Sequence, residues 1–251
     1  MSQAKNGPVR GLIAIGVLSV MTLWLSWEGL LGFYIHPRYN LFTTIMALLG
    51  ICGFVVAASS GLAESSGRGE HHHGRRRSRL RASDRLSAIL VAGALATAII
   101  LPPTTLSSFT AENRKFGGNF AAGSVSSVQV DPTAAGFESL TVRDWAGLLS
   151  QTQDSAFFRG KPVRVLGTIS SSGNPDVFLL SRFVVSCCAV DAQPVSIPVY
   201  FRSWQDEFEV DSWVTVSGGF QFQPAFDSPG NLAVVPSNIE IEEVPNEPYL
   251  F

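Results

Sequence analysis

Ser186-Cys187-Cys188-Ala189-Val190-Asp191 is the segment with the most chemistry in this chain. Two adjacent thiols and a carboxylate three residues later supply soft sulfur and hard oxygen, a donor set suited to zinc or a similar metal. In a regular strand the two sulfurs would point to opposite faces, so a shared site requires a bulge or turn. The following Asp191-Ala192-Gln193-Pro194 supplies turn residues. Two other readings stay open at this point. Cysteine also packs as a small hydrophobe, and adjacent cysteines can oxidise to a strained vicinal disulfide. A second cluster, His71-His72-His73, could bind metal only weakly, because it sits among arginines. No histidine follows His73, so any further ligand at the cysteines must be carboxylate, water, backbone or a partner. The chain has no nucleophile–base–acid set, phosphate loop or dinucleotide fingerprint, so an enzyme is not expected.

The elements that would position these residues follow from hydropathy and charge. The net charge of −2 over 251 residues hides two opposed halves. Residues 1–101 carry ten basic and four acidic groups, and residues 102–251 carry eight basic and sixteen acidic ones. The acidic half excludes nucleic acid as its partner, since phosphate binding needs a basic surface.

Long uncharged runs fall only in the basic half, and a membrane span needs about 20 apolar residues. Three spans are expected over about 11–33, 41–62 and 84–104, within a transmembrane domain at 1–106. The loop at 63–85 carries seven arginines and the loop at 28–40 carries only Arg38. Arginine-rich loops stay inside, which puts the N-terminus and 63–85 in the cytoplasm and residues from 107 outside the cell membrane. Tyr34, His36, Pro37, Arg38 and Tyr39 then form a motif at the outer interface of the lipid bilayer. No acid or base sits mid-span, which argues against a carrier on its own.

Residues 107–137 read as a flexible linker rich in Ser, Gly, Ala and Thr. A helix follows at Thr141–Gln151, capped by Thr141. Strands are expected at Val163–Ile169, Val177–Ser186, Val195–Phe201, Trp213–Phe222 and Leu232–Val244, separated by Asn-, Asp-, Pro- and Gly-rich turns. The Gly218-Gly219 pair marks a bulge or bend. Five short strands suit a closed barrel of OB type over residues 138–251, with a sandwich as the alternative. The fold class expected is thus membrane α plus β: three N-terminal helices, then an acidic, extracytoplasmic all-β OB-like barrel with one preceding helix.

Several segments carry a resemblance to the YcgQ-like family of bacterial membrane proteins. They are Tyr34-Ile35-His36-Pro37-Arg38-Tyr39, Phe178-Leu179-Leu180-Ser181-Arg182-Phe183, Cys187-Cys188-Ala189-Val190-Asp191-Ala192, Trp213-Val214 with Val216 and Gly218, and Pro248-Tyr249-Leu250. The resemblance covers nearly the whole chain. It implies an auxiliary subunit of a two-component permease complex, acting with a separate multi-span membrane permease, and a link to zinc. Val190 stands where the family segment usually has alanine. The alternative is a stand-alone membrane-anchored binding or structural module.

Overall fold

The computed structural model describes residues 7–65, 93, 105–114, 134–152, 154–223 and 231–251. The chain separates into two compact units, one ending at Thr104 and the other beginning at Thr105.

In the first unit, helix α1 (Gly7–Trp27) and helix α2 (Asn40–Ser65) pack together as a hairpin. Small residues permit the approach: Gly16 lies against the Phe54 ring and Gly50 against Ser19, and Ser19 and Ala47 are buried. Ser26 and Thr44 share a hydrogen bond of 2.9 Å between the helices. Cysteines replacing Ser26 and Thr44 should therefore cross-link readily under oxidant. Adding Gly50→Val drives a side chain into Ser19, and the cross-linking yield should fall severalfold on gels. An unchanged yield would mean that the helices do not meet at Gly50.

The first expected span is corrected. It does not run to residue 33, because Gly29 takes a left-handed conformation (φ 72°) and Leu30–Phe33 form a separate 3-10 turn. Among the described residues one helical segment, Pro37–Ser59, is long and apolar enough to cross a membrane, with a mean hydropathy of 2.3, and the apolar helix Gly11–Trp27 is shorter. The described residues therefore contain one candidate span rather than three. The expected span at 84–104 and the 63–85 loop fall almost wholly outside them.

The second unit is built on a closed five-stranded barrel. Its strands are β1 (Val163–Asn174), β2 (Val177–Val184), β3 (Gln193–Tyr200), β4 (Trp213–Phe222) and β5 (Leu232–Glu242). The order around the barrel is β1-β4-β5-β3-β2, closed by β2 pairing back onto β1. All neighbours are antiparallel except β3 and β5, which pair in parallel through Val199 and Val234. The register bulges between Ser217 and Gly218, at the glycine pair. A Cβ at Gly218 would run into the Val235 carbonyl, so the backbone approach there requires glycine.

More than one helix accompanies the barrel. Helix α3 (Ser108–Arg114) opens the stretch read as a linker, and α4 (Ala134–Glu138) closes it. Helix α5 (Val142–Gln151) is the expected one, with a capping box between Thr141 and Asp144. Helix α6 (Ser155–Phe158) leads into β1. Helix α5 packs on β1, β2 and β3, and its Trp145 stacks with Phe137 and meets Phe158 and Phe220. All four side chains belong to one buried core with the inward strand residues.

A second, smaller core lies beside the cysteine segment. It joins Ala111 of α3, Phe183, Val185, Ala192 and Tyr249. The last strand, β6 (Tyr249–Leu250), pairs in parallel with the end of β2 at Phe183 and Val184. The Val185 N–H then donates to the Leu250 carbonyl at 2.8 Å. The chain end thus holds the strand that leads directly into Ser186.

Candidate metal centre

Strand β2 stops at Val184, and residues 186–192 form a loop before β3. Ala189–Asp191 make a single 3-10 turn, with the Asp191 N–H donating to the Cys188 carbonyl at 2.9 Å. This is the turn that the sequence required for a shared site. It brings one ligand atom each from Cys187, Cys188 and Asp191 within 4.8 Å of one another. Both cysteines are free thiols, Cys187 exposed and Cys188 half-buried.

The Asp191 carboxylate accepts the Ser186 N–H at 2.9 Å, the Cys187 N–H at 2.8 Å and the Cys188 N–H at 3.2 Å. Three successive main-chain donors converge on one side chain, an arrangement that binds an anion firmly. Partial burial pushes the Asp191 carboxyl up, but the donors from Ser186, Cys188 and Cys187 outweigh it and hold the group below its usual 3.8. The folded loop is therefore favoured by the ionised carboxylate above that value, and this contribution is lost as pH falls through the lowered one.

The Cys187 thiol is pushed up to about 11, first by its hydrogen bond with Cys188 and then by that with Asp191. A raised thiol pKa favours the protonated form in the fold up to about pH 9 and loses that preference as pH rises toward 11. Alkylation of Cys187 by iodoacetamide should consequently be slow at pH 8 and climb about tenfold per pH unit until the thiol ionises. Asp191→Ala removes an acceptor of the thiol proton and should speed the reaction at pH 8. A rate insensitive to Asp191→Ala would show that the carboxylate does not hold the thiol.

His71, His72 and His73 lie outside the described residues. In the Tyr34–Tyr39 motif, His36 caps a 3-10 turn over Pro37–Tyr39, with its Nδ1 accepting the Arg38 N–H at 3.1 Å. The Arg38 guanidinium donates to the Tyr39 hydroxyl at 2.8 Å, and Tyr34 is exposed. His36, Arg38 and Tyr39 thus brace one another in the first unit.

Two groups that shape the loop were not singled out by the sequence. The Ser186 N–H is a main-chain donor and leaves no side-chain signal. Arg182 is buried in β2, where its Nε donates to the Pro248 carbonyl at 3.0 Å and its Nη2 to the Glu247 carbonyl at 2.9 Å. Burial lowers its pKa to about 10, with the nearby Glu247 charge opposing. In the sequence Arg182 is a lone arginine in an apolar strand, within the Phe178–Phe183 segment of the resemblance, and nothing there names its partners.

The DUF1980 N-terminal domain matches residues 9–117, and the DUF1980 C-terminal domain matches residues 139–251. The chain belongs to the DUF1980 family. The two DUF1980 domains correspond to the helical unit, extending into α3, and to the barrel with α5 and α6. No curated protein matches the chain. Among solved structures, yeast RPA bound to ssDNA is similar over 35% of this chain and 68% of that one, at 14% identity and a TM-score of 0.25. A likeness that low carries no argument about the DUF1980 barrel.

Proposed function

We propose that this DUF1980 protein is an auxiliary subunit of a membrane permease complex, with an external OB-like barrel that handles zinc or another thiophilic metal at Cys187 and Cys188. The observation that carries the reading is the convergence of two thiols and a carboxylate within 4.8 Å on an exposed loop. The apolar hairpin supports anchoring in a bilayer: Leu41, Phe42 and Val56 point outward with 61–73% of their surface exposed. The sequence adds the resemblance to the YcgQ-like permease subunits and an arginine bias that supports a barrel outside the cell membrane. The barrel's strand order, with β3 and β5 in parallel, supports the OB-like assignment.

The test has three arms. Purification in mild detergent should recover a multi-span membrane permease with this chain, and its absence would overturn the subunit role. Metal analysis of the reduced full chain should find a thiol-bound metal that is lost in the Cys187→Ser, Cys188→Ser double variant. Impermeant labelling of cysteines engineered into 107–137 should succeed on intact cells, and labelling only after lysis would reverse the orientation.

The internal use of Asp191 favours a second reading, a stand-alone membrane-anchored module whose cysteines merely shape the loop. Wild-type function of the double serine variant in cells lacking the permease would select it.

A further inference from the structure

Resting on the metal-handling reading, we infer that Cys187 and Cys188 are the only ligands of the loop, that Asp191 is a positioning residue, and that the pair takes a soft monovalent cation such as Cu(I) rather than zinc. An ionised carboxylate offers about four acceptor positions on its two oxygens. Three main-chain donors occupy Asp191: Ser186 on Oδ1, and Cys187 and Cys188 on Oδ2. The Cys187 thiol adds a fourth interaction. A metal bound at Asp191 would displace these donors, and the turn that gathers the two sulfurs would lose its anchor. The carboxylate places the ligands and does not join them.

No other His, Cys, Asp or Glu completes the cluster among the described residues, and the sequence has no histidine after His73. Two sulfurs remain. Zinc in protein sites takes four ligands, or three and an open position. Thiolates select soft ions, and a filled-shell monovalent ion is satisfied by two of them. Binding releases two protons: two S–H bonds break, two sulfur–metal bonds form, and no electron moves, because the ion arrives in its +1 state. The product carries one negative charge.

Exposure separates this site from a structural one. Cys187 lies open to solvent, and Val190 beside it is 84% exposed at the loop tip. A two-coordinate ion there is within reach of an incoming third ligand, so the loop can pass its ion onward by exchange. Structural metal sites are instead closed by four protein ligands.

The experiment titrates the reduced full chain in detergent, without oxygen, with Cu(I) against a chromogenic Cu(I) chelator, and separately with Zn(II). One Cu(I) per chain is expected, with Zn(II) failing to displace it. Cys187→Ser and Cys188→Ser should each weaken Cu(I) binding by at least about 100-fold. Asp191→Asn should keep the stoichiometry and lose only about tenfold, as for an outer-sphere partner. X-ray absorption of the wild-type copper form should show two sulfur neighbours, a measurement that does not depend on any variant folding. An oxygen neighbour in that spectrum, or Zn(II) binding tighter than Cu(I) and abolished by Asp191→Asn, would overturn the inference while leaving the metal-handling function standing. If neither ion binds the wild type better than the double serine variant, that function falls with it.

Discussion

Arg182→Met should destabilise the barrel by about 2–3 kcal/mol and release the C-terminal strand from β2. Arg182 is 8% exposed as a residue, and its guanidinium lies over the Trp213 ring, with 5.0 Å from its carbon to the ring centroid. Its two shorter hydrogen bonds run to the Pro248 and Glu247 carbonyls, and a longer one of 3.4 Å runs to Leu166. Hydrogen bonds to a charged group contribute about 1.5–3 kcal/mol each, and a buried acceptor left unpaired costs about 1–3. Two effects reduce the sum. Burial of the charge is itself unfavourable, as the lowered pKa of about 10 records, and the carbonyl of exposed Glu247 can turn to water. Methionine keeps much of the apolar stem, so the loss isolates the charged head. The readout is hydrogen exchange at Val185, whose N–H is held by Leu250. Its protection should drop with that of Tyr249 and Leu250, and Cys187, two residues on, should alkylate faster. Wild-type protection at Val185 would show that β6 holds without the arginine. Arg182→Lys is no rescue, because a single ammonium cannot reach two carbonyls in fork geometry.

The same residue shows what a sequence can and cannot carry. Arg182 is visible as a lone charge in an apolar strand, but the partners of its two shorter hydrogen bonds lie 65 and 66 positions away, and main-chain carbonyls have no residue signature. Strand β3 was legible because Val195, Ile197 and Val199 alternate in its sequence, and in its first half buried Val195 and Ile197 are separated by the less buried Ser196. Strand β2 is buried along its whole length, covered on both faces, so its end could not be read from alternation. It stops at Val184 rather than Ser186 because Asp191 draws the Ser186, Cys187 and Cys188 N–H groups into the loop. β1 runs on to Asn174 because the turn after it is a tight hairpin, with Asn174 facing Val177. Two-residue β6 is below any periodic signal, and α3 is too polar and short to stand out from a linker.

At the site, spacing alone put two thiols and a carboxylate in one place, and the 3-10 turn at Ala189–Asp191 realises it. What spacing could not tell is the direction of the carboxylate. A side chain three residues after a thiol can face the sulfur or cap the main chain, and here it does chiefly the second. In the helical unit the expected span reached residue 33 by taking in Glu28 and the apolar residues after it, whereas Gly29 in a left-handed conformation ends the helix there. Hydropathy does not register that backbone reversal.

The largest single loss of stability is expected from Trp145→Ala, at about 3–5 kcal/mol. Trp145 is fully buried, with ring centroids 5.2 Å from Phe220, 6.1 Å from Phe137 and 6.4 Å from Phe158. It therefore joins α4, α5, α6 and β4 into one core, and alanine leaves a cavity at that junction. Aromatic contacts add about 0.5–1.5 kcal/mol per pair beyond the area buried. Domains are held by only about 5–15 kcal/mol in total, so the variant should unfold at a clearly lower denaturant concentration. The indole N–H is buried without a hydrogen-bond partner among the described residues, which makes phenylalanine the informative control. Trp145→Phe gives up part of the ring volume but also removes a donor whose burial costs about 1–3 kcal/mol. The two terms oppose each other, so its net cost should be roughly 1–2 kcal/mol, well below that of alanine. Denaturation of both variants, followed by circular dichroism, separates the terms. If phenylalanine proves as damaging as alanine, the indole N–H contributes a bond of its own, and packing is not what makes Trp145 matter. If the order holds, the core that carries β2 and β3 depends on the shape of this side chain, and the cysteine loop between those strands depends on it in turn.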